Sequence, residues 1–251
     1  MTGAGPRAPA PARPAPARSA PDRSATARSD PPCTVRLEGV SKVFATDAGR
    51  KIVADRIDAV FPAGQAVALM GRNGAGKSSL LKVIAGSSKP SGGRVVTAGR
   101  VSWPVGLAQA FHGDLTGLQN LRFVARIYGR ASDELEAFVQ GFAGLGADLS
   151  EPVRTYSNGM RARLGFALSM GIPFDTYLID EVASVGDLSF RRTCEATIRD
   201  RLSRGGAIVV SHNAEFLARV CDRAAVLEQG RLTWFDSVGD AMAEYREMMG
   251  V

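Results

Sequence analysis

Two patterns of apolar residues alternate along this chain, one typical of buried strands and one typical of helices. Short continuous apolar runs, typical of strands buried in a parallel sheet, end at Met70, Ile179 and Val210. Elsewhere apolar residues recur every three or four positions, which predicts helices over residues 77–85, 116–130, 133–142, 157–170, 190–202, 214–221 and 238–249. The alternation predicts an α/β fold with a mostly parallel sheet.

Other strands have a weaker signature. Residues 34–40 alternate between apolar and polar side chains, as expected for a half-buried strand. Further strands are predicted at residues 57–61, 95–97, 99–102, 224–227 and 231–235. The helices between residues 116 and 142 follow one another without a strand, which predicts a helical lobe inserted into the strand-rich core.

The first 32 residues differ from the rest in composition. They hold eight prolines and five arginines and almost no large apolar side chain, so burial cannot offset the entropy of ordering them. We therefore expect a disordered tail over residues 1–32 and a folded domain over residues 33–251. The tail either is weakly attracted to an anionic membrane surface or has no partner.

Charge and cysteine content narrow the class of protein. The formal net charge of the 251 residues is +6, and half of it comes from the tail, where five arginines face two aspartates. The remainder has no basic cluster interleaved with aromatic residues, so we expect no nucleic-acid partner. No apolar run approaches the roughly 18 residues of a membrane span. Three widely spaced cysteines predict neither a disulfide framework nor a zinc site and favour a reducing cytoplasm.

The most specific motif follows the strand that ends at Met70. It comprises Gly71, Asn73, Gly74, Ala75, Gly76, Lys77, Ser78 and Ser79. Glycines let backbone N–H groups curl around a phosphate, and the helix that begins there adds the positive end of its dipole. Lys77 would reach the outer phosphates and Ser78 would hold Mg²⁺. The alternative is a glycine-rich turn with an accidental Lys-Ser pair, but the flanking strand and helix favour a nucleoside triphosphate site.

Three later motifs carry further candidate chemistry. Asp180 and Glu181 follow a buried strand, where ligands of open parallel sheets collect; Asp180 suits Mg²⁺ and Glu181 suits a general base, unless both are merely solvated acids. Ser157 opens a helix, either as an ordinary N-cap or, with Gly159, as a second anion-binding terminus. His212 follows the strand that ends at Val210, where a structural hydrogen bond is the alternative to catalysis.

The order of these motifs resembles the ATP-binding cassette (ABC) ATPases, the motor subunits of ABC transporters, over essentially all of residues 34–249. The resemblance implies a P-loop NTPase core with a mostly parallel sheet, a small antiparallel β lobe and an inserted α-helical lobe at about residues 116–172. It also implies that the chain binds and hydrolyses ATP with Mg²⁺.

The same resemblance implies roles for individual residues. Phe44 matches the aromatic residue that stacks on adenine, and Asp187 matches the aspartate loop that couples two sites. Ser157 and Gly159 match the signature loop, although this chain reads Tyr-Ser-Asn-Gly-Met where the family usually reads Leu-Ser-Gly-Gly-Gln. His212 matches the switch histidine that senses the γ-phosphate.

One position departs further from the family pattern. His112 stands where the family offers a glutamine near Mg²⁺ and water, and Gln109 is the competing candidate for that place. An imidazole orients water but is a poorer Mg²⁺ ligand than an amide oxygen. The departure puts metal contact at this loop in question.

Segments 101–107, 115–129, 156–160 and 180–187 look like the ATPases that export capsular polysaccharide from Gram-negative bacteria, and are also similar to O-antigen and teichoic acid relatives. The chain stops at Val251 without the C-terminal carbohydrate-binding domain of some O-antigen relatives, so we expect the capsule type. This implies a head-to-tail dimer with a second copy and an integral-membrane permease partner, at the cytoplasmic face of the inner membrane. The alternatives are a soluble ABC ATPase acting on nucleic acid or ribosomes, and a phosphate-loop kinase or GTPase.

Overall fold

The computed structural model describes Met1 and residues 35–46, 49–105, 111–181 and 188–249. Strands in these ranges are β1 (Val35–Thr46), β2 (Gly49–Phe61), β3 (Ala66–Met70), β4 (Gly92–Thr97), β5 (Val101–Val105), β6 (Thr176–Asp180), β7 (Gly206–Val210), β8 (Arg223–Glu228) and β9 (Arg231–Phe235). Helices are α1 (Lys77–Ile84), α2 (Gly117–Ile127), α3 (Ser132–Ala143), α4 (Asn158–Gly171), α5 (Leu188–Leu202), α6 (Ala214–Val220) and α7 (Val238–Met249).

A six-stranded sheet forms the centre of the fold, in the order β5-β6-β7-β3-β8-β9. All its neighbours pair in parallel except β8 and β9. Pro104 lies in β5, at the edge of this sheet, where a missing N–H breaks no ladder. The predicted α/β class with a mostly parallel sheet is therefore confirmed.

Side chains of the central strands alternate between two hydrophobic clusters, one on each face of the sheet. Tyr177 and Ile179 of β6 belong to one cluster and Leu178 to the other. Helix α1 packs its buried residues into the second cluster, together with β1 and β2, whereas α4 to α7 pack into the first. Both faces are thus covered, which explains why these strands read as continuous apolar runs.

A second sheet of three antiparallel strands, in the order β2-β1-β4, lies beyond α1. The apolar pattern predicts strands at residues 34–40 and 57–61, but β1 and β2 extend along a much longer hairpin. The prediction was too short because register shifts near Val40 and Lys42 break the two-residue alternation, and because the distal hairpin is exposed.

Three helices, α2 to α4, intervene between β5 and β6 as expected for an inserted helical lobe. Thr116 begins α2 with a capping box, because its hydroxyl accepts from the Gln119 N–H and the Gln119 side chain accepts from the Thr116 N–H. Two short 3₁₀ helices, Gly146–Ser150 and Val153–Thr155, lead into α4 and were not predicted. In the described ranges, no helix is long and apolar enough to cross a bilayer.

Candidate active site

The loop between β3 and α1 has the backbone shape of a phosphate cradle. Gly71, Gly74 and Gly76 all have positive φ, of 144°, 79° and 107°. Gly76 forms the N-terminal cap of α1, so the loop delivers the chain directly into the helix. Because side chains disfavour these angles, the glycines predicted from the motif are required by the conformation.

Close packing imposes a second requirement on two of these glycines. A β-carbon on Gly71 would collide with the Leu227 carbonyl oxygen of β8, and one on Gly76 would collide with the Val53 side chain of β2. The cradle is therefore wedged between the neighbouring strand and the antiparallel lobe. Its shape is fixed by tertiary packing as well as by local conformation.

We expect Gly71→Ala to lower the free energy of unfolding by about 2–4 kcal/mol, since it adds an unfavourable φ to overpacking against backbone. Urea denaturation measures this loss. Gly64→Ala is the matched control, because Gly64 has a φ of 66° but open space around its β-carbon position. The control should lose only about 1–2 kcal/mol. Equal losses would mean that contact with Leu227 contributes nothing.

Lys77, the first residue of α1, folds back over the cradle. Its ammonium donates to the carbonyl oxygens of Gly71, at 2.7 Å, and Arg72, at 3.1 Å. Burial lowers the pKa of Lys77, while the carboxylates of Glu181 and Asp180 partly raise it again. Phosphate oxygens in the cradle would compete with the two carbonyls for this cation.

The two acids and the histidine lie on neighbouring strands. Asp180 ends β6 in register with Val210, the last residue of β7, and the Glu181 N–H donates to the Val210 carbonyl at 2.9 Å. His212 follows in the next loop, which Asn213 fixes by capping α6 through its bond from the Phe216 N–H. Strand β7 itself pairs with β3, so three adjacent strand ends converge on the cradle.

Glu181 and His212 touch each other. The Glu181 Oε1 lies 2.6 Å from the His212 Nε2, and both side chains are about half exposed, at 52% and 59%. Glu181 also has a φ of 54°, which is uncommon for a residue other than glycine. Backbone strain of this kind clusters at functional sites.

A cavity of about 420 Å³ lies over the cradle, within the usual size range of small-molecule pockets. It is lined by Phe44, Thr46, Lys51, Val53, Asn73, Gly74, Gly76, Lys77, Ser78, Ser79 and Glu181. An aromatic ring that is 38% exposed therefore shares one pocket with the phosphate loop and the predicted base. Thr46, Lys51 and Val53 were missed, because only the long hairpin brings them to the pocket.

A second cavity, of about 110 Å³, is also lined by Lys77. Its walls include Gly71, Lys77 and His212, closed by Met242 and Tyr245 of α7. The C-terminal helix thus backs the loop that carries His212. This contact could not be predicted, since α7 shows only an ordinary amphipathic pattern.

Ser157, Gly159 and His112 line neither cavity. Ser157 caps α4 as predicted, and its hydroxyl accepts from the Met160 N–H at 3.2 Å. The backbone N–H of His112 donates to Asn120, whose side-chain amide in turn donates to the His112 carbonyl. Within one chain these residues are not part of the pocket, so their roles at the nucleotide stay predictions. Asp187 and Gln109 lie outside the described residues.

The fold and this site define a phosphate-loop ATPase: a mostly parallel sheet with a glycine cradle, a lysine and strand-end acids at its carboxyl edge. The family profile described as ABC transporter matches residues 54–184. The chain belongs to the ABC transporter family, as an ATP-binding, ATP-hydrolysing subunit of that family.

Several relatives are similar over most of their length. The polysialic acid transport ATP-binding protein KpsT of Escherichia coli is 42% identical over 85% of this chain and 99% of its own. The capsule polysaccharide export ATP-binding protein CtrD of Neisseria meningitidis serogroup B is 40% identical over 85% and 99%. The O-antigen export system ATP-binding protein RfbB of Klebsiella pneumoniae is 39% identical over 83% and 87%.

Solved structures support the fold independently. An ATP-binding subunit of an ABC transporter superposes with a TM-score of 0.72 at 21% identity, covering 86% of this chain and 93% of the other. A dimeric ATP-binding cassette bound to ADP and phosphate superposes with a TM-score of 0.70 at 18% identity, covering 81% and 98%. The predicted P-loop NTPase fold of the ABC type is confirmed.

Proposed function

We propose that this chain is the ATP-hydrolysing motor subunit of an exporter that moves capsular polysaccharide, or a related lipid-linked glycan, across the bacterial inner membrane. The similarity to capsule export ATP-binding proteins at 40–42% identity over nearly their full length carries the proposal. A separate permease would form the membrane path, with this subunit at its cytoplasmic face. The relatives do not favour the nucleic-acid alternative.

Different residues of the pocket would bind different parts of ATP. Phe44 offers an exposed ring for adenine, and the glycine cradle faces the phosphates. Lys77 would exchange its hydrogen bonds to the two loop carbonyls for bonds to phosphate oxygens. Those two bonds already hold its ammonium at the cradle. Because phosphoryl transfer requires mainly positioning and charge stabilisation, these few groups suffice for the chemistry.

Ser78 and Asp180 fit Mg²⁺ by the chemistry of their oxygens. Mg²⁺ prefers hydroxyl and carboxylate oxygens together with phosphates. In the described part of the chain, neither side chain makes a hydrogen bond or ion pair, so both oxygens are available to a cation. When bound, Mg²⁺ neutralises charge on the outer phosphates.

Glu181 and His212 would serve the hydrolytic step. Glu181 would orient and polarise water as the general base, and His212 would contact the γ-phosphate. Their 2.6 Å contact places the base and the sensor side by side. Binding of ATP would replace this contact with one from His212 to phosphate, which frees the carboxylate for water.

A second copy of the chain would complete the site. We propose a head-to-tail dimer in which Ser157 and Gly159 of one copy close over ATP held by the other, with Asp187 coupling the two sites. The N-terminus of α4 presents backbone N–H groups that suit an anion. Since these residues do not line the pocket of their own chain, a partner is the natural source of the missing wall.

The permease would dock beside His112, between the core and the helical lobe. Helix α2 begins five residues after His112 and exposes two large apolar side chains one turn apart, Phe123 at 61% and Ile127 at 60%. Exposed apolar pairs of this kind mark interaction surfaces. The membrane-embedded partner supplies the apolar counterpart.

We expect Phe123→Asp combined with Ile127→Asp to reduce co-purification with the permease at least tenfold, since both changes place charge in an apolar contact. Detergent-solubilised membranes from cells expressing both subunits provide the measurement. Val96→Asp is the matched control, because Val96 is 42% exposed on β4 of the other lobe. The ATPase activity of the isolated subunit should be the same in both variants. Undiminished co-purification would place the permease elsewhere.

The function itself is tested by deletion. Cells that lack this subunit are expected to accumulate glycan inside and to show none at the surface, and the wild-type gene should restore export. Normal surface glycan in the deletion strain would overturn the proposal. Salt-sensitive binding of the purified protein to DNA or RNA would instead favour the nucleic-acid alternative.

A further inference from the structure

A second lysine lines the nucleotide pocket, and it comes from a different element than Lys77. Lys51 of β2 lines the 420 Å³ cavity, and its ammonium lies 3.8 Å from the point where a β-carbon of Gly74 would stand. Gly74 belongs to the middle of the phosphate cradle. A cation is thus held over the cradle by the antiparallel lobe, separately from the helix that carries Lys77.

The hairpin fixes this position through its register. Lys51 is directly opposite Phe44 in the β1–β2 ladder, so the two side chains leave the same face of the hairpin and enter one pocket. The ammonium of Lys42 lies 4.9 Å from the centroid of the Phe44 ring and donates to the Lys89 carbonyl. Lys42 is thereby tied to the protein, whereas Lys51 faces the cavity.

In the part of the chain that the structure describes, no carboxylate forms an ion pair with the Lys51 ammonium and no oxygen accepts a hydrogen bond from it. The pocket around it is also lined by cradle glycines, hydroxyl side chains, the Phe44 ring, the Lys77 ammonium and the Glu181 carboxylate. A cation that faces a cradle of N–H groups adds to a field that attracts anions, and phosphate oxygens satisfy both.

We propose that Lys51 binds the α- and β-phosphates of the bound nucleotide, opposite the cradle backbone. The proposal rests on the nucleotide site described above and adds a residue to it. Lys77 would reach the outer phosphates, including the γ-phosphate that only ATP carries. Under this proposal Lys51 contacts the inner phosphates, which ATP and ADP share, and so contributes similar affinity to both. The β lobe then contributes charge as well as the adenine-stacking ring.

Equilibrium binding of ATP, ADP and adenosine to the full-length protein tests this role. Lys51→Met keeps the length of the side chain and removes its charge. It should weaken the binding of ATP and of ADP by the same factor, about five- to twentyfold, because a charge-assisted contact to phosphate is lost at a partly exposed site. Adenosine affinity should not change. Lys51→Arg should restore most of the ATP and ADP affinity, and high salt should shrink the difference.

Arg50→Met is the control, since Arg50 carries the same charge on the neighbouring position of β2 and does not line the cavity. If both variants weakened nucleotide binding equally, the effect would come from long-range charge alone, and the proposal would be overturned. Wild-type ADP affinity in Lys51→Met would overturn it directly. If the wild-type protein bound no nucleotide, the proposed nucleotide site would be wrong. That outcome differs from one in which the wild type binds nucleotide and Lys51→Met has no effect.

Discussion

A Lys77→Ala variant is expected to hydrolyse ATP at least about 100-fold more slowly than the wild type, because loss of one preorganised cationic donor at a phosphoryl group costs about 10²–10³ in rate. The structure holds this ammonium above the cradle, bonded to the Gly71 and Arg72 carbonyls. Phosphate release at saturating ATP and Mg²⁺ measures the loss.

The pKa of Lys77 gives this prediction a pH dependence. Burial lowers the pKa of the free protein's lysine, so it loses its proton at lower pH than an exposed lysine does. Bound phosphates favour the charged form and oppose the shift. ATP affinity should therefore fall at alkaline pH in the wild type, and this fall should vanish in Lys77→Ala.

Lys82→Ala is the matched control for Lys77→Ala, because Lys82 lies in the same helix, is exposed and is remote from the cavity. It should hydrolyse ATP at the wild-type rate. Unfolding midpoints of both variants separate loss of chemistry from loss of structure. Full activity in Lys77→Ala would mean that the cradle does not hold the triphosphate in the proposed orientation.

The parts of the site that were predictable are those encoded within one strand-to-loop segment. The cradle follows β3 directly, and the two acids lie at the carboxyl end of β6. Parallel pairing brings the ends of adjacent strands to one edge of the sheet. The sequence motif therefore carried its own structural context. The same holds for Ser157, whose capping role depends only on the helix that it begins.

The parts that escaped prediction depend on register between distant segments. Lys51 enters the pocket only because bulges in β1 and β2 set it opposite Phe44. Tyr245 backs the His212 loop only because α7 returns to the sheet after β9. The positive φ of Glu181 leaves no trace in residue type, since glutamate is not a residue that favours it. Each of these features is fixed by tertiary packing.

The proposed division of the site between two copies would explain why the signature-loop residues do not line the pocket of their own chain. Ser157 caps its own helix and Gly159 lies beside it, yet neither reaches the cavity over the cradle. The same division predicts that the copies associate when ATP is bound and separate after its hydrolysis. Blocking hydrolysis without blocking binding should therefore reveal the dimer.

Glu181→Gln is expected to slow hydrolysis by about 10²–10⁴-fold, since the amide cannot act as a general base, while ATP binding persists. Glutamine keeps the shape of the side chain and removes a negative charge near the phosphates, so ATP should accumulate between two copies. Light scattering after size-exclusion chromatography, with ATP and Mg²⁺ in the buffer, should report a dimer that ADP does not support.

Two comparisons make that result specific. Glu215→Gln removes an exposed carboxylate in α6, just beyond the His212 loop, and should neither slow hydrolysis nor trap a dimer. Adding Ser157→Arg to Glu181→Gln should dissociate the trapped dimer without preventing ATP binding, because the bulky side chain would obstruct the surface that closes over the ATP of the other copy. A Glu181→Gln protein that binds ATP yet stays monomeric would contradict the shared site, since the cradle would then hold nucleotide without a second copy.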